Sequence, residues 1–161
     1  MGGLQGYYRR EINDDHHFTT STYRSTWDAQ GFAGYRKGAV WYRIPFELDF
    51  DELDRDEDGN PTLGLLIGGG EGMLSVYCND EFVGRGRASL ARTIAFDLSD
   101  HIEPGDGNLL ALQFDRVGND ELGTGGMTRP SFLFTGPRVE MEDQDLRPFR
   151  ILPGGIYEYI D

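Results

Sequence analysis

The sequence predicts an all-β protein folded as an antiparallel β-sandwich with almost no helix. Apolar residues recur at every second position in four stretches, at 40–48, 73–78, 93–98 and 109–114, which is the period of a strand with one buried face. Clusters of Gly, Pro, Asn and Asp separate these stretches, and no long stretch has the period of an amphipathic helix. Many short strands at regular spacing are typical of a sandwich, and 161 residues suffice for one domain with a buried core.

The first strand of the predicted sandwich is also the clearest. Trp41 and Arg43 share one of its faces, and Pro45 has no N–H to donate, so the strand lies at a sheet edge or bends there. The opposite face is apolar and is expected to point into the core. It carries Val40, Tyr42, Ile44, Phe46 and Leu48.

A β-hairpin is predicted at 74–83. Apolar and polar residues alternate before a break at Asn79 and Asp80, two residue types that tolerate positive φ and suit a tight turn. Residues 81–83 form a short return strand, and the segment 84–89 is expected to be a displayed loop.

Shorter strands at 63–67, 131–135 and 138–141 complete the predicted sandwich, with a turn at 100–107. The glycine run 68–70 is not a phosphate cradle, because neither a Lys-Ser/Thr pair nor a helix follows it. The predicted core consists of Val40, Tyr42, Ile44, Phe46, Val76, Cys78, Ile94, Phe96, Leu110, Leu112 and Phe114.

Composition limits the architecture and the partners. Residues 1–37 are irregular but rich in aromatic residues, so we expect a lead-in packed on a sandwich domain formed by 38–161.

The net charge of -13 argues against binding to nucleic acid or to an anionic membrane surface. The sequence shows no signal peptide and no apolar run long enough to span a membrane. Cys78 is the one cysteine, so an intrachain disulfide is impossible, and its place on an apolar face indicates a buried thiol.

Four segments resemble, in order, the sequence of one known domain. They are Gly38-Ala39-Val40-Trp41-Tyr42-Arg43 followed by Phe46; Val76-Tyr77-Cys78-Asn79 followed by Val83-Gly84; Phe96-Asp97-Leu98-Ser99 followed by Gly105 and Asn108-Leu109-Leu110-Ala111-Leu112; and Gly125-Gly126-Met127-Thr128-Arg129-Pro130. The ordered set is similar to the jelly-roll, galactose-binding-like domain of family 2 glycoside hydrolases and related carbohydrate-binding modules. Asp80 stands where that domain has a turn glycine, and the loop 49–61 is longer and more acidic.

The resemblance implies a non-catalytic carbohydrate-binding or accessory domain of a glycan-degrading enzyme system. In the resembled enzymes the catalytic glutamates belong to a separate barrel domain, for which this chain has no room. Nothing in the sequence selects a pair of carboxylates facing each other across a cleft. The implied partners are an oligo- or polysaccharide and a catalytic domain of the parent protein or other copies, and the implied location is secreted or periplasmic. A structural or assembly module without sugar binding is the alternative, and an independent hydrolase is the least favoured interpretation.

The acidic loop contains the first half of a calcium-binding loop, D-x-D-x-D-G. Oxygen ligands at alternate positions can surround a hard cation, which makes a structural calcium the one candidate cofactor. The twelfth position should hold a bidentate carboxylate but is Leu65, so a solvated acidic hairpin is the other interpretation. The candidate ligands are Asp54, Asp56, Asp58 and Asn60.

Two loops supply candidate polar contacts to a sugar. Arg85 and Arg87 stand between glycines, and a guanidinium can donate several hydrogen bonds to hydroxyls or carboxylates. Their alternative role is ion pairing with the abundant surface acids. The resemblance implies a second contact loop at Asn119 and Asp120, whose alternative role is turn formation.

Aromatic residues supply candidate stacking surfaces for a sugar ring. Trp27, Tyr35 and Trp41 are the candidates, because the apolar face of a sugar packs on a flat aromatic side chain. For Trp41 the alternative is that the N-terminal lead-in covers it.

Overall fold

The computed structural model describes residues 6–12, 38–90, 92–116, 125–139, 149–152 and 156–159. These residues form ten β-strands and two short 3₁₀ turns, Phe50–Glu52 and Ser99–His101, and they contain no α-helix. None of the helical segments in these ranges is long and apolar enough to cross a membrane. The strands are β1 Gly38–Leu48, β2 Gly64–Ile67, β3 Gly70–Cys78, β4 Glu81–Ala88, β5 Ile94–Asp97, β6 Gly105–Arg116, β7 Gly126–Met127, β8 Ser131–Phe134, β9 Phe149–Leu152 and β10 Ile156–Tyr159.

The strands form two main antiparallel sheets that enclose one core. The five-stranded sheet has the order β1-β6-β3-β4, with β7 paired to β3, and the three-stranded sheet has the order β5-β2-β8. Strands β9 and β10 pair as a separate hairpin. The buried cluster draws side chains from both main sheets, which confirms the predicted all-β, antiparallel architecture; the jelly-roll connectivity stays a prediction.

Most of the predicted core is buried, with one error. Seven of the predicted side chains belong to the buried cluster, and three more from β1 are partly buried against it. Ile44 was predicted to be in the core but is 39% exposed. Strand β1 is the outer strand of the wider sheet, and a three-stranded layer cannot cover the whole inner face of that sheet. The seven are Val76, Cys78, Ile94, Phe96, Leu110, Leu112 and Phe114, and the three are Val40, Tyr42 and Phe46.

The β3–β4 hairpin has the predicted turn but a longer return strand. Asn79 and Asp80 have φ of 49° and 73°, which matches the left-handed conformation that a two-residue hairpin turn requires. Strand β4 continues to Ala88, so the displayed loop predicted at 84–89 is wrong for most of its length. Gly84 and Gly86, which alternate with Arg85 and Arg87, lower the strand propensity of this segment. In the structure these two glycines face the buried side of β4.

Two buried asparagines hold the hairpin turn to the start of β6. Asn79 donates from Nδ2 to Asn108 Oδ1 (2.8 Å) and to the carbonyl of His101 (2.8 Å). Asn108 Nδ2 donates to the carbonyls of Glu103 (2.6 Å) and Gly105 (3.2 Å), and its Oδ1 also accepts from the Glu103 N–H. Asn79 Oδ1 completes the network by accepting the N–H of Leu109 at 2.9 Å. Each buried amide is thereby satisfied, as buried polar groups must be.

The glycine run after β2 allows a close approach of two backbone segments. A Cβ added to Gly68 would lie 2.1 Å from the carbonyl oxygen of Pro130, and one added to Gly70 would lie 2.9 Å from that of Gly126. The Thr128 N–H donates to the carbonyl of Gly69 at 3.1 Å. The run therefore packs against the turn before β8, which gives it a structural role.

Candidate functional site

The outward-facing side of the five-stranded sheet is called here the outer face. Two rows of side chains cross it, and the first row contains the candidate residues Trp41 and Arg85. The strand registers place Trp41, Gln113, Ser75 and Arg85 next to one another across β1, β6, β3 and β4. The neighbouring row runs through Arg43, Ala111, Tyr77 and Phe82. Paired residues on adjacent strands lie about 5 Å apart, so each row is a continuous strip of side chains.

The two arginines of the predicted sugar-binding loop lie on this outer face instead. Arg85 pairs with Ser75 across β3 and β4 and is exposed, whereas Arg87 pairs with Met73 and is half-buried. Arg85 is thus the residue at which the first row reaches solvent, and its guanidinium can meet a ligand there. The other predicted contacts, Trp27, Tyr35, Asn119 and Asp120, lie outside the described residues.

Trp41 is covered by the N-terminal segment 6–12, called here the strap. The Tyr8 ring stacks on Tyr77 with centroids 4.8 Å apart and planes 17° apart, and the Tyr7 ring meets Trp41 edge-on at 6.3 Å. Trp41 is only 8% exposed as a result of this packing and of its neighbours in the sheet. Its Nε1–H is buried and finds no acceptor in the part of the chain that the structure describes. Of the two expectations for Trp41, coverage by the lead-in is confirmed for this segment.

Two arginines fix the strap to the sheet. Arg43 donates from Nη1 to the backbone carbonyls of Tyr7 and Arg9 and from Nη2 to that of Ile12. Arg10, on the strap itself, pairs through Nη1 with Glu103 Oε2 at 2.9 Å and through Nε with Asp80 Oδ2 at 3.4 Å. The hydrogen bond that Arg10 donates to Glu103 is the main cause of the raised pKa of Arg10.

The aspartate in the turn has a specific role in this attachment. Asp80 replaces the glycine expected by the resemblance, and its Oδ1 also accepts the backbone N–H of Arg10. A glycine at this position would leave the strap without that anchor. This pairing could not be predicted from the sequence, because Arg10 and Asp80 are 70 residues apart.

The acidic loop is organised around Asp56 and Arg138. Asp56 Oδ1 accepts the N–H groups of Asn60 (2.8 Å) and Asp58 (3.1 Å), and Oδ2 accepts from Arg138 Nε at 3.0 Å. Arg138 also makes two parallel hydrogen bonds to the carboxylate of Asp100, at 2.9 and 3.0 Å. The backbone hydrogen bond from Asn60, and then Arg138, lowers the pKa of Asp56, and Arg138 likewise lowers that of Asp100.

This arrangement bears on two of the sequence-based expectations. Arg138 and Val139 lie outside the strands, so the strand predicted at 138–141 is wrong there; the Arg138 side chain instead ties this segment to the acidic loop. Among the described residues no group of three or more His, Cys, Asp or Glu side chains is placed to hold a metal ion, and the calcium site stays a prediction.

The sandwich with this outer face has the fold of a domain found in family 2 glycoside hydrolases. A family 2 glycosyl hydrolase from Bacteroides cellulosilyticus superposes with a TM-score of 0.62 at 18% identity, over 78% of this chain and 18% of that one. The same fold occurs in β-glucuronidases. One from glycoside hydrolase family 2 superposes with a TM-score of 0.62 at 21% identity, over 80% of this chain and 16% of that one. The enzyme from Ruminococcus gnavus, in complex with uronic isofagomine, gives 0.60 at 15% identity, over 82% of this chain and 25% of that one.

These similarities establish the fold of this chain. The chain spans a quarter or less of the length of these three glycosidases, so it corresponds to one part of them. No protein-family model matches the sequence, and no curated protein matches it.

Proposed function

We propose that this chain is a non-catalytic, carbohydrate-binding accessory domain of a glycan-degrading enzyme system. The observation that carries the proposal is the fold shared with one part of family 2 glycoside hydrolases, which covers most of this chain and little of theirs. Several of those neighbours are β-glucuronidases, and a guanidinium such as that of Arg85 suits the carboxylate of a uronic acid as well as hydroxyl groups.

The proposed contacts begin at Arg85, where the first row of the outer face is exposed. Arg87 lies two residues along the same strand face, and Asn119, Asp120, Trp27 and Tyr35 complete the proposed set. Each sugar hydroxyl taken from water must be bonded again for a net gain of about 0.5–1.5 kcal/mol. The expected affinity is therefore low, on the order of micromolar to millimolar.

Calorimetric titration tests this proposal. The ligands are a neutral β-linked glucan hexasaccharide and an oligosaccharide of the same length that contains glucuronic acid. Arg85→Ala should weaken binding about 10- to 150-fold, because a hydrogen bond to a charged group is worth about 1.5–3 kcal/mol. Arg55→Ala is the matched control, since Arg55 is an exposed arginine on the distant acidic loop whose Nη1 donates to the Gly59 carbonyl.

Three further outcomes locate or reject the site. Reduced binding in Trp27→Ala or Asp120→Ala would support the rest of the proposed set. Binding that is unchanged in the Arg85, Trp27 and Asp120 variants would move the site elsewhere. Absence of binding to either glycan would favour the assembly function below.

The chain alone is expected to lack hydrolase activity. Turnover of aryl glycosides that survives purification and is abolished by one carboxylate substitution would refute this expectation. Any such activity that persists in every carboxylate variant would identify a contaminating enzyme.

A second function, docking to another domain of the parent protein or to a second copy, is favoured by the outward-facing side of the three-stranded sheet. Phe132 on β8 is 56% exposed there, and it is paired with the half-buried Leu66 of β2. Adjacent apolar side chains on an open sheet face are common at protein interfaces. Sedimentation analysis over a range of concentrations tests self-association. A dimer that Phe132→Ser dissociates would support assembly through this face, and a monomer at every concentration would exclude a second copy as the partner.

A further inference from the structure

We propose that the strap is a releasable cover over a second sugar-stacking surface formed by Trp41, Tyr77 and Phe82. The inference rests on the proposed carbohydrate-binding function and adds a site and a control element to it. In the closed form described here, residues 6–12 occupy the position that a sugar ring would take.

The three aromatic side chains, called here the platform, lie in a row across the outer face, with Tyr77 tilted by 37° to Trp41 and at 67° to Phe82. The centroid of Tyr77 lies 5.5 Å from that of Trp41 and 5.4 Å from that of Phe82, so Tyr77 is at the centre. Phe82 is already 55% exposed at one end. Such a row offers apolar ring faces and edges to a ligand wider than one side chain.

Tyr8 occupies the stacking position at the centre of this platform. Its ring is nearly parallel to Tyr77 at 4.8 Å, which is the arrangement that a pyranose ring adopts on an aromatic side chain. Arg43, beside the platform, directs its guanidinium at three carbonyl oxygens of the strap. A guanidinium that binds a cluster of oxygens in a peptide can donate to sugar hydroxyls in the same place.

One of the two arginine attachments of the strap, that through Arg10, is exposed and therefore weak. Arg10 and both of its carboxylate partners are substantially exposed, with side-chain exposures of 37% for Arg10, 41% for Asp80 and 54% for Glu103. Exposed ion pairs of this sort contribute little and are screened by salt. The closed form also leaves the Trp41 Nε1–H buried without an acceptor among the described residues, which disfavours closure and supplies a donor that an oxygen-rich ligand would satisfy.

The charge-reversal variant Arg10→Glu tests, in the full-length chain, whether the strap can open. Arg10→Glu places a carboxylate beside Asp80 and Glu103 and should raise the fraction of chains in which the strap is open, while Arg43 still binds the strap carbonyls. Arg9→Glu is the matched control, because Arg9 is on the same segment but its side chain contacts strap residues, Glu11 and the Tyr8 ring, rather than carboxylates of the sheet. For the fluorescence measurement both changes are made in a Trp27→Phe background, which leaves Trp41 as the one remaining tryptophan, whereas the binding titrations are made in chains that keep Trp27.

Opening is measured without any ligand, by acrylamide quenching of Trp41 fluorescence. We expect stronger quenching in Arg10→Glu than in Arg9→Glu or the unaltered background. Binding of the two oligosaccharides named above is then titrated. The apparent affinity of the platform for a glycan is proportional to the fraction of chains in which the strap is open. Loss of two exposed ion pairs in Arg10→Glu should therefore raise this affinity about 2- to 30-fold. Adding Trp41→Phe to Arg10→Glu should remove this gain.

The outcomes distinguish this inference from the function on which it rests. Quenching and affinity that both rise in Arg10→Glu alone support the covered platform. Stronger quenching with unchanged affinity overturns it while the site at Arg85 survives, and unchanged quenching with unchanged affinity shows that the strap is a fixed part of the fold. If no variant binds either glycan, both the inference and the proposed function fail.

Discussion

Asn108→Ala should be among the most destabilising substitutions in this chain. The side chain is 1% exposed and makes four hydrogen bonds, to Asn79, to both backbone groups of Glu103 and to the carbonyl of Gly105. Through these bonds it joins the β3–β4 turn to the first residues of β6. Alanine removes all four bonds; it leaves the Glu103 N–H without its partner and the Asn79 Nδ2 group with its bond to the His101 carbonyl alone.

The size of the effect follows from those four bonds. A buried hydrogen bond contributes about 0.5–1.5 kcal/mol net, and donors left unpaired add a desolvation cost. The expected loss in the free energy of unfolding is about 3–5 kcal/mol, after allowing for partial rearrangement around the smaller side chain. With a urea m-value of about 1–3 kcal/mol/M, the midpoint should fall by about 1–5 M.

Urea unfolding followed by circular dichroism measures this loss. Asn60→Ala is the control, because Asn60 is exposed and its side chain makes one long contact of 3.5 Å with Asp56. Its effect should stay within about 0.5 kcal/mol. A loss below about 1 kcal/mol for Asn108→Ala would show that the network does not hold the turn to β6.

Three other features of the fold, a core side chain, the buried thiol and the Arg138 ion pairs, have effects that can be measured. Phe96→Ala, at a side chain with 0% exposure, should cost about 3–5 kcal/mol in urea unfolding, and a loss below about 1 kcal/mol would mean that the cavity closes or the site is loosely packed. Burial raises the pKa of the Cys78 thiol to about 12, so a thiol reagent at pH 8 should label the chain only after it is unfolded, and rapid labelling of the folded chain would contradict this. Arg138 helps to lower the pKa of Asp56 and Asp100, so these carboxylates stabilise the fold above their unfolded pKa of about 4 and lose that contribution as the pH falls through their folded values. The stability difference between the wild type and Arg138→Ala should accordingly be present at pH 7 and shrink below about pH 4, and a difference that grows on acidification would oppose the assignment.

Local patterns in the sequence were enough to predict much of the fold. Period-two alternation located β1, β3, β5 and β6, because a strand between two layers must carry apolar residues on one face. The Asn79–Asp80 turn was also predictable, since few residue types accept positive φ. The limits of β4 were not, because Gly84 and Gly86 weaken strand propensity while a neighbouring strand still supplies the hydrogen bonds.

The site depends on contacts between distant residues, and these leave no local pattern. The sequence named Trp41, Arg85 and Arg87 but could not show that Tyr8 stacks on Tyr77 or that Arg43 binds the carbonyls of the strap. The alternating aspartates of the acidic loop likewise matched half of a metal-binding pattern. The calcium site stays a prediction, and the bond between Asp56 and Arg138, 82 residues away, could not be predicted from that local pattern.

The residues that carry the family resemblance hold the fold together, and this affects what the resemblance can say about function. Asn79 and Asn108 stand in two of the similar segments and bond each other in the interior. The carbonyl groups of Gly126 and Pro130, in the last similar segment, pack closely against the glycine run that follows β2. A sandwich that had lost sugar binding would need the same contacts, so these segments predict the architecture equally well for a carbohydrate-binding domain and for an assembly module. The distinction must come from side chains outside them, such as Arg85 on the outer face and Phe132 on the opposite sheet, which is why substitutions there separate the two functions.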